Sequence, residues 1–91
     1  MPTTVTFYRE SLYRYSALAL LLVLERLEKE EDYEECAKIV EAMTLEEEVH
    51  KMPIGTRLTP EIVKEIVEYS QVPLASYVEY GRNLYNEIKV L

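Results

Sequence analysis

The chain has 91 residues, of which 48% are hydrophobic and 30% charged, and its net charge at pH 7 is −7. This composition is too apolar for a disordered tail and too charged for a membrane protein, so it predicts one packed domain over residues 1–91. The longest apolar run, residues 17–24, is shorter than the roughly 20 residues of a membrane-spanning helix, and no signal-peptide cleavage site follows it. A single cysteine allows no internal disulfide, so we expect a cytoplasmic protein.

The negative charge is concentrated between Glu25 and Glu48, a segment with eleven acidic and three basic residues. Its field repels phosphate backbones and anionic lipid, so we expect neither direct nucleic-acid binding nor membrane binding. The same field attracts a basic protein surface. A basic protein is therefore the predicted partner.

Residues 1–7 are rich in β-branched side chains and predict an extended N-terminal arm. A first long helix is predicted from about Tyr8 to Lys29, because no glycine or proline interrupts that segment. Its two apolar stripes are wider than a surface helix needs, so the helix is either central to the fold or covered by a second chain. The stripes are Leu12, Tyr15, Ala19 and Leu22, and Tyr13, Ala17, Leu20, Leu24 and Leu27.

Asp32 and Glu35 have the spacing of a capping box, which predicts the start of a second helix. Apolar side chains at helical spacing predict its buried face, and the acidic residues are expected on the solvated side. The predicted buried residues are Tyr33, Cys36, Ala37, Val40 and Met43, and the candidate partner-binding residues are Glu34, Glu41 and Glu48. The helix either continues to Lys51 or breaks at Thr44 into a short extra helix, and the sequence leaves both open.

A third helix is predicted from Pro60 to about Tyr69, because Thr59 and Pro60 suit the cap and the first turn. Its predicted buried residues are Ile62, Val63, Ile66 and Val67. A fourth helix follows from Leu74, with an apolar seam spaced by three and four residues: Leu74, Tyr77, Gly81, Leu84, Ile88 and Leu91. The predicted fold is therefore an all-α bundle of four main helices, with a short fifth left open.

The apolar stripes exceed what a small bundle is expected to cover, which predicts self-association, with a dimer favoured. Gly81 costs about 1 kcal/mol within a helix, a cost that close approach of another backbone offsets. The candidate interface between copies consists of Leu12, Tyr15, Leu74, Tyr77, Gly81, Leu84 and Ile88.

Glu47 and His50 have the Glu-x-x-His spacing that places two metal ligands on one helical face. Because the chain has one histidine, a metal centre would have to be shared between chains, so we expect no bound metal and no cofactor. Cys36 lies in an apolar stripe, the setting of a buried thiol rather than a reactive one. We therefore expect no enzymatic activity.

The eight tyrosines suggest either binding interfaces or partial cover for the core, and both readings stay open. We expect a non-enzymatic helical interaction module that self-associates and presents an acidic face to a basic partner. In size and composition the chain also resembles the inhibitors that phages and mobile elements direct against host defence enzymes. This resemblance implies an acidic mimic of nucleic acid as one alternative, and a metal-binding oligomer using Glu47 and His50 is the other.

Overall fold

The computed structural model describes residues 3–50 and 59–91, without the side chain of His50. This part of the chain is helical and includes no β-strand, which confirms the all-α class. None of its helices is both long enough and apolar enough to cross a bilayer. The helices are α1 (Val5–Tyr15), α2 (Ala17–Lys29), α3 (Tyr33–His50), α4 (Pro60–Ser70) and α5 (Leu74–Val90).

The predicted first helix is two helices, because the backbone turns at Ser16, with φ 101° and ψ 159°. The Ser16 hydroxyl accepts a hydrogen bond from the backbone N–H of Ala19 at 3.3 Å and so caps α2. The prediction of one continuous helix was wrong because a serine, without any glycine or proline, makes the break. This break gives five described helices rather than four.

The N-terminal arm is shorter than predicted, because α1 begins at Val5. The Thr4 hydroxyl accepts a hydrogen bond from the backbone N–H of Phe7 and caps the helix. Residues 5–7 are therefore helical. Within the predicted arm, Thr3 is buried, and the Lys38 side chain donates to its carbonyl oxygen at 3.1 Å.

The segment that follows Asp32 is one continuous helix, α3, up to His50. The Thr44 hydroxyl donates to the carbonyl oxygen of Val40 at 2.9 Å, a bond within the same helix rather than the cap of a new one. The break considered at Thr44 is therefore absent. The predicted end point, Lys51, lies outside the described residues.

The central helix is α2, which contacts α1, α3 and α5. Its buried residues are Leu18, Ala19, Leu20, Leu21, Val23, Leu24 and Leu27. Five of them, Leu20, Leu21, Val23, Leu24 and Leu27, pack in one core with side chains from the surrounding helices, among them Tyr8, Ile39, Met43 and Leu84. The wide apolar surface seen in the sequence is thus largely satisfied inside a single chain.

The helix α4 lies at the edge of the fold and buries none of its residues. The side chain of Ile62 is 38% exposed and that of Tyr69 is 94% exposed, while Val63, Ile66 and Val67 are half-buried. The prediction that these four apolar residues are buried was therefore wrong, because three are only half-buried and Ile62 is exposed. The helix has few contacts with the other described helices, so little of the described part of the chain covers its apolar side.

Candidate protein-binding surfaces

The buried face of α3 is rotated from the predicted one. Cys36, Ile39, Ala42 and Met43 are buried, whereas the predicted core residues Tyr33, Ala37 and Val40 are exposed. The buried stripe continues to Glu46, which is only 3% exposed. The sequence pattern missed this stripe because a glutamate ordinarily marks a solvated position.

The buried carboxylate of Glu46 is stabilised by side chains of α1. Arg9 Nε donates to it at 2.7 Å, and the Tyr13 hydroxyl donates at 2.5 Å. The hydrogen bond to Glu46 raises the pKa of Tyr13. An arginine and a phenol together supply the charge and the donors that a buried carboxylate needs.

A second carboxylate, that of Glu35, joins the same two helices. It accepts hydrogen bonds from the hydroxyls of Thr3 and Tyr8 and from the Lys38 ammonium at 3.0 Å. Burial alone would raise the pKa of Glu35, but these three donors outweigh it and lower the pKa. For Tyr8, burial and then the bond to Glu35 raise the pKa. Glu35 and Glu46 therefore fasten α1 to α3.

The same pairing recurs at α5. Tyr15 donates to Glu87, and Tyr85 donates to Glu30 at 2.5 Å. Four of the eight tyrosines thus donate hydrogen bonds to glutamates distant in the chain. The sequence had suggested only binding interfaces or partial cover for the core as roles for the tyrosines. The partners lie 27 to 72 residues apart in the chain, so no local spacing could have revealed them.

The outer face of α3 carries the predicted partner-binding residues. Glu34, Glu41 and Glu48 are exposed and recur every seven residues, so they form one column with a rise of about 10.5 Å between neighbours. These three carboxylates have no hydrogen bond or ion pair with any described residue. We call them the acidic column.

An exposed apolar ridge runs beside the acidic column, because residues four and three apart share a helical face. Tyr33 is 65% exposed, Val40 is 39% exposed, and Ala37 and Thr44 are exposed between and beyond them. We call these four residues the α3 ridge. The solvent-facing side of α3 therefore carries an apolar stripe beside an acidic one, apart from the side that packs on the core.

The predicted interface between copies lies mostly inside one chain. Tyr77, Gly81, Leu84 and Ile88 are buried on α5. A Cβ atom at Gly81 would stand 3.5 Å from a backbone oxygen of α2, an ordinary van der Waals contact, so Gly81 faces α2 rather than another chain. Of the remaining predicted residues, Leu12 and Tyr15 are half-buried and Leu74 is 43% exposed.

A cleft of about 200 Å³ opens between α2 and α5. Its lining comprises Leu22, Val23, Arg26, Val78, Gly81, Arg82 and Tyr85. The Arg26 guanidinium stacks on the Tyr85 ring, 3.7 Å from its centroid, and lies 3.6 Å from the Glu30 carboxylate. The exposed Arg82 has no acidic partner in the described part of the chain. Its lining comes from two helices far apart in the sequence, so no local pattern predicts this cleft.

The candidate metal ligands Glu47 and His50 are not brought into a described cluster. Glu47 is half-buried on α3, and the side chain of His50 lies outside the described residues. The described side chains include no group of three or more His, Cys, Asp and Glu placed to hold a metal ion. Cys36 is buried, and burial raises the pKa of its thiol.

Comparison of the chain with models of protein families, with curated proteins and with solved structures finds no match in any of the three. The chemistry of the surfaces themselves is thus the basis for a function.

Proposed function

We propose that this chain is a non-enzymatic interaction module that binds a basic, amphipathic segment of another protein along the outer face of α3. One observation carries the proposal: an acidic column without partners in the described structure lies beside an exposed apolar ridge. A cytoplasmic setting belongs to the same proposal, because the one cysteine is a buried free thiol.

The partner chemistry follows from the two stripes. Tyr33, Ala37, Val40 and Thr44 are spaced by four, three and four residues, the pattern by which one helix packs along another. The acidic column on one flank attracts lysine or arginine on the same flank of the bound segment. Such complementarity mainly raises the association rate and fixes the orientation of the partner.

The charge spacing favours a protein partner over mimicry of nucleic acid. A DNA strand carries one phosphate for roughly every 3.4 Å of helix axis, whereas the acidic column carries one carboxylate for about every 10.5 Å. The charge spacing along the acidic column is therefore about three times wider than that along one DNA strand. The neighbouring apolar ridge also has no counterpart in a phosphate backbone.

Two observations support a binding role without catalysis. The pKa of the Cys36 thiol is raised by burial, which opposes formation of a nucleophilic thiolate at neutral pH. The cavity between α2 and α5, at about 200 Å³, is smaller than the roughly 300 to 1,000 Å³ of ligand pockets.

The test uses a fluorescein-labelled synthetic peptide of leucine and lysine, with leucines at helical spacing and lysines along one flank. Fluorescence anisotropy measures its affinity for the wild-type chain and for the triple variant Glu34→Gln, Glu41→Gln, Glu48→Gln. We expect the variant to bind about tenfold more weakly, because three surface charge pairs contribute roughly 0.5 kcal/mol each. Its fold should be unchanged, since removing like charges reduces repulsion.

A matched control separates the surface from net charge. The triple variant Glu10→Gln, Glu28→Gln, Glu79→Gln removes three exposed acids on other helices and changes the net charge equally. It should bind the peptide almost as well as wild type, and Tyr33→Ser should bind less well through loss of apolar contact. If both triple variants lost the same affinity for the peptide, net charge alone would explain the effect, and the α3 site would be refuted.

A further inference from the structure

Two surface features remain outside the α3 site. The first is the cleft between α2 and α5, with Arg26 and Arg82 at its rim, which we call the arginine cleft. The second is one flank of α4, where the exposed Ile62, the half-buried Ile66 and the exposed Tyr69 recur at intervals of four and three residues. We call these three residues the α4 stripe.

The two features have opposite charge and share an apolar character. Acidic residues flank the α4 stripe on one side, and all are exposed: Glu61, Glu65 and Glu68. The arginine cleft has apolar walls of Leu22, Val23 and Val78. An acidic amphipathic helix is the kind of ligand that such a cleft fits, with aliphatic side chains inserted and carboxylates at the arginines.

Arg82 distinguishes the cleft from the rest of the surface. Each of the other Lys and Arg residues that the structure describes has an acidic partner within 4.0 Å: Arg9, Arg14, Arg26, Lys29, Lys38, Lys64 and Lys89. Arg82 has none among the described residues. In a chain with a net charge of −7, an arginine left without an acid beside an apolar cleft favours an acidic ligand.

We propose that α4 of one copy docks in the arginine cleft of a second copy, while α4 of the second copy docks in the cleft of the first. The cleft of about 200 Å³ has room for aliphatic side chains of a helix rather than for a larger organic ligand. Both complementary surfaces are present on every copy. A two-fold arrangement therefore covers both stripes and both clefts at once and forms a closed dimer.

This association is separate from the α3 site. The acidic column and the α3 ridge take no part in it, so the basic partner and the second copy occupy different helices. Failure of the α3 experiment would leave this inference unaffected, and the reverse also holds.

Sedimentation equilibrium over a tenfold range of concentration provides the test. The wild-type mass should rise from 10.7 kDa toward twice that value. Arg82→Glu places like charges at the contact and should weaken association at least tenfold, and Glu65→Arg should do the same from the other side. Circular dichroism checks that both variants keep the wild-type helix content.

Mixing the two variants gives the decisive measurement. In the mixed dimer one contact is the wild-type pair and the other is the same pair with its charges exchanged, so association should return. Lys29→Glu is the matched control, because it makes the same charge change at an exposed site outside the cleft, and it should associate like wild type.

Three results would overturn the proposal. The first is a wild-type mass that stays at 10.7 kDa over the whole range. The second is association of Arg82→Glu as strong as that of Lys29→Glu, which would place the dimer contact elsewhere. The third is a mixture of the two variants that associates no better than either alone.

Discussion

The helices α2 and α4 both have apolar residues at helical spacing, yet they differ in how far the fold buries those residues. In α2, seven of 13 residues are buried, whereas α4 buries none of its 11. The difference arises because α2 lies between three other helices and α4 lies at the edge. An apolar stripe therefore indicates which side of a helix avoids water, but not whether the same chain covers it.

The largest expected difference between these helices is in core truncation. Leu20→Ala in α2 removes a fully buried side chain and should lower the free energy of unfolding by about 2 to 5 kcal/mol. Ile62→Ala in α4 removes a side chain that is already 38% exposed and should cost less than about 1 kcal/mol. Urea unfolding followed by circular dichroism measures both, in the Arg82→Glu background to suppress association. Similar losses would mean that α4 is packed as firmly as α2.

A smaller effect concerns the carboxylate hydrogen bonds that join α1 to α3, whereas α4 is joined to α5 by a bond between two neutral hydroxyls, from Tyr77 to Ser70 at 2.8 Å. Folding lowers the pKa of Glu35 below its ordinary value of 4.5, so its stabilising contribution is present above that pH and is lost as pH falls through the folded-state pKa. The melting temperature should therefore drop below about pH 4.5. Glu35→Gln should lower the free energy of unfolding at pH 7 by about 1 to 3 kcal/mol. It should also reduce the fall in melting temperature between pH 7 and acidic pH.

Glu28→Gln on α2 is the control for that experiment, because the Glu28 side chain is exposed and bonds to no described residue. It should leave both the stability at pH 7 and the acid profile close to wild type. A Glu35→Gln profile that falls as steeply as the wild-type one would remove Glu35 as a source of the pH dependence.

The smallest effects are expected at the starts of the two helices. Ser16, which opens α2, has a positive φ in a region that glycine adopts readily and other residues rarely do. Ser16→Gly should therefore stabilise the protein by about 1 kcal/mol, although it loses the cap. Thr59, which opens α4, has ordinary extended angles, so Thr59→Gly should destabilise it by a few tenths of a kcal/mol. Thermal unfolding distinguishes the signs, and a destabilised Ser16→Gly variant would show that the cap outweighs the strain.

The starts of α3, α4 and α5 were predictable, because they depend on local chemistry. Thr59 caps α4 as expected, and α5 begins at Leu74 directly after Pro73. The break at Ser16 was not predictable, since no glycine or proline marks it in the sequence. The buried face of α3 was misplaced because Glu46 is held by residues of α1, 33 and 37 positions away.

The surfaces were predictable to different degrees. The exposed positions of Glu34, Glu41 and Glu48 follow from helical geometry and agree with the structure. The α5 seam has the spacing expected of an interface, but the sequence could not show that α2 of the same chain fills it. The arginine cleft joins residues of α2 and α5, so it exists only once the chain has folded.

The tyrosine to glutamate bonds also have an optical consequence. The chain has no tryptophan, so its near-ultraviolet absorption and emission come chiefly from its eight tyrosines. A phenol that donates to a carboxylate absorbs at longer wavelength, and its excited state loses the proton readily, which quenches ordinary tyrosine emission. Separation of α1 from α3 breaks the bonds of Tyr8 and Tyr13 and should restore that emission. The protein thus contains its own fluorescent reporter of this helix contact.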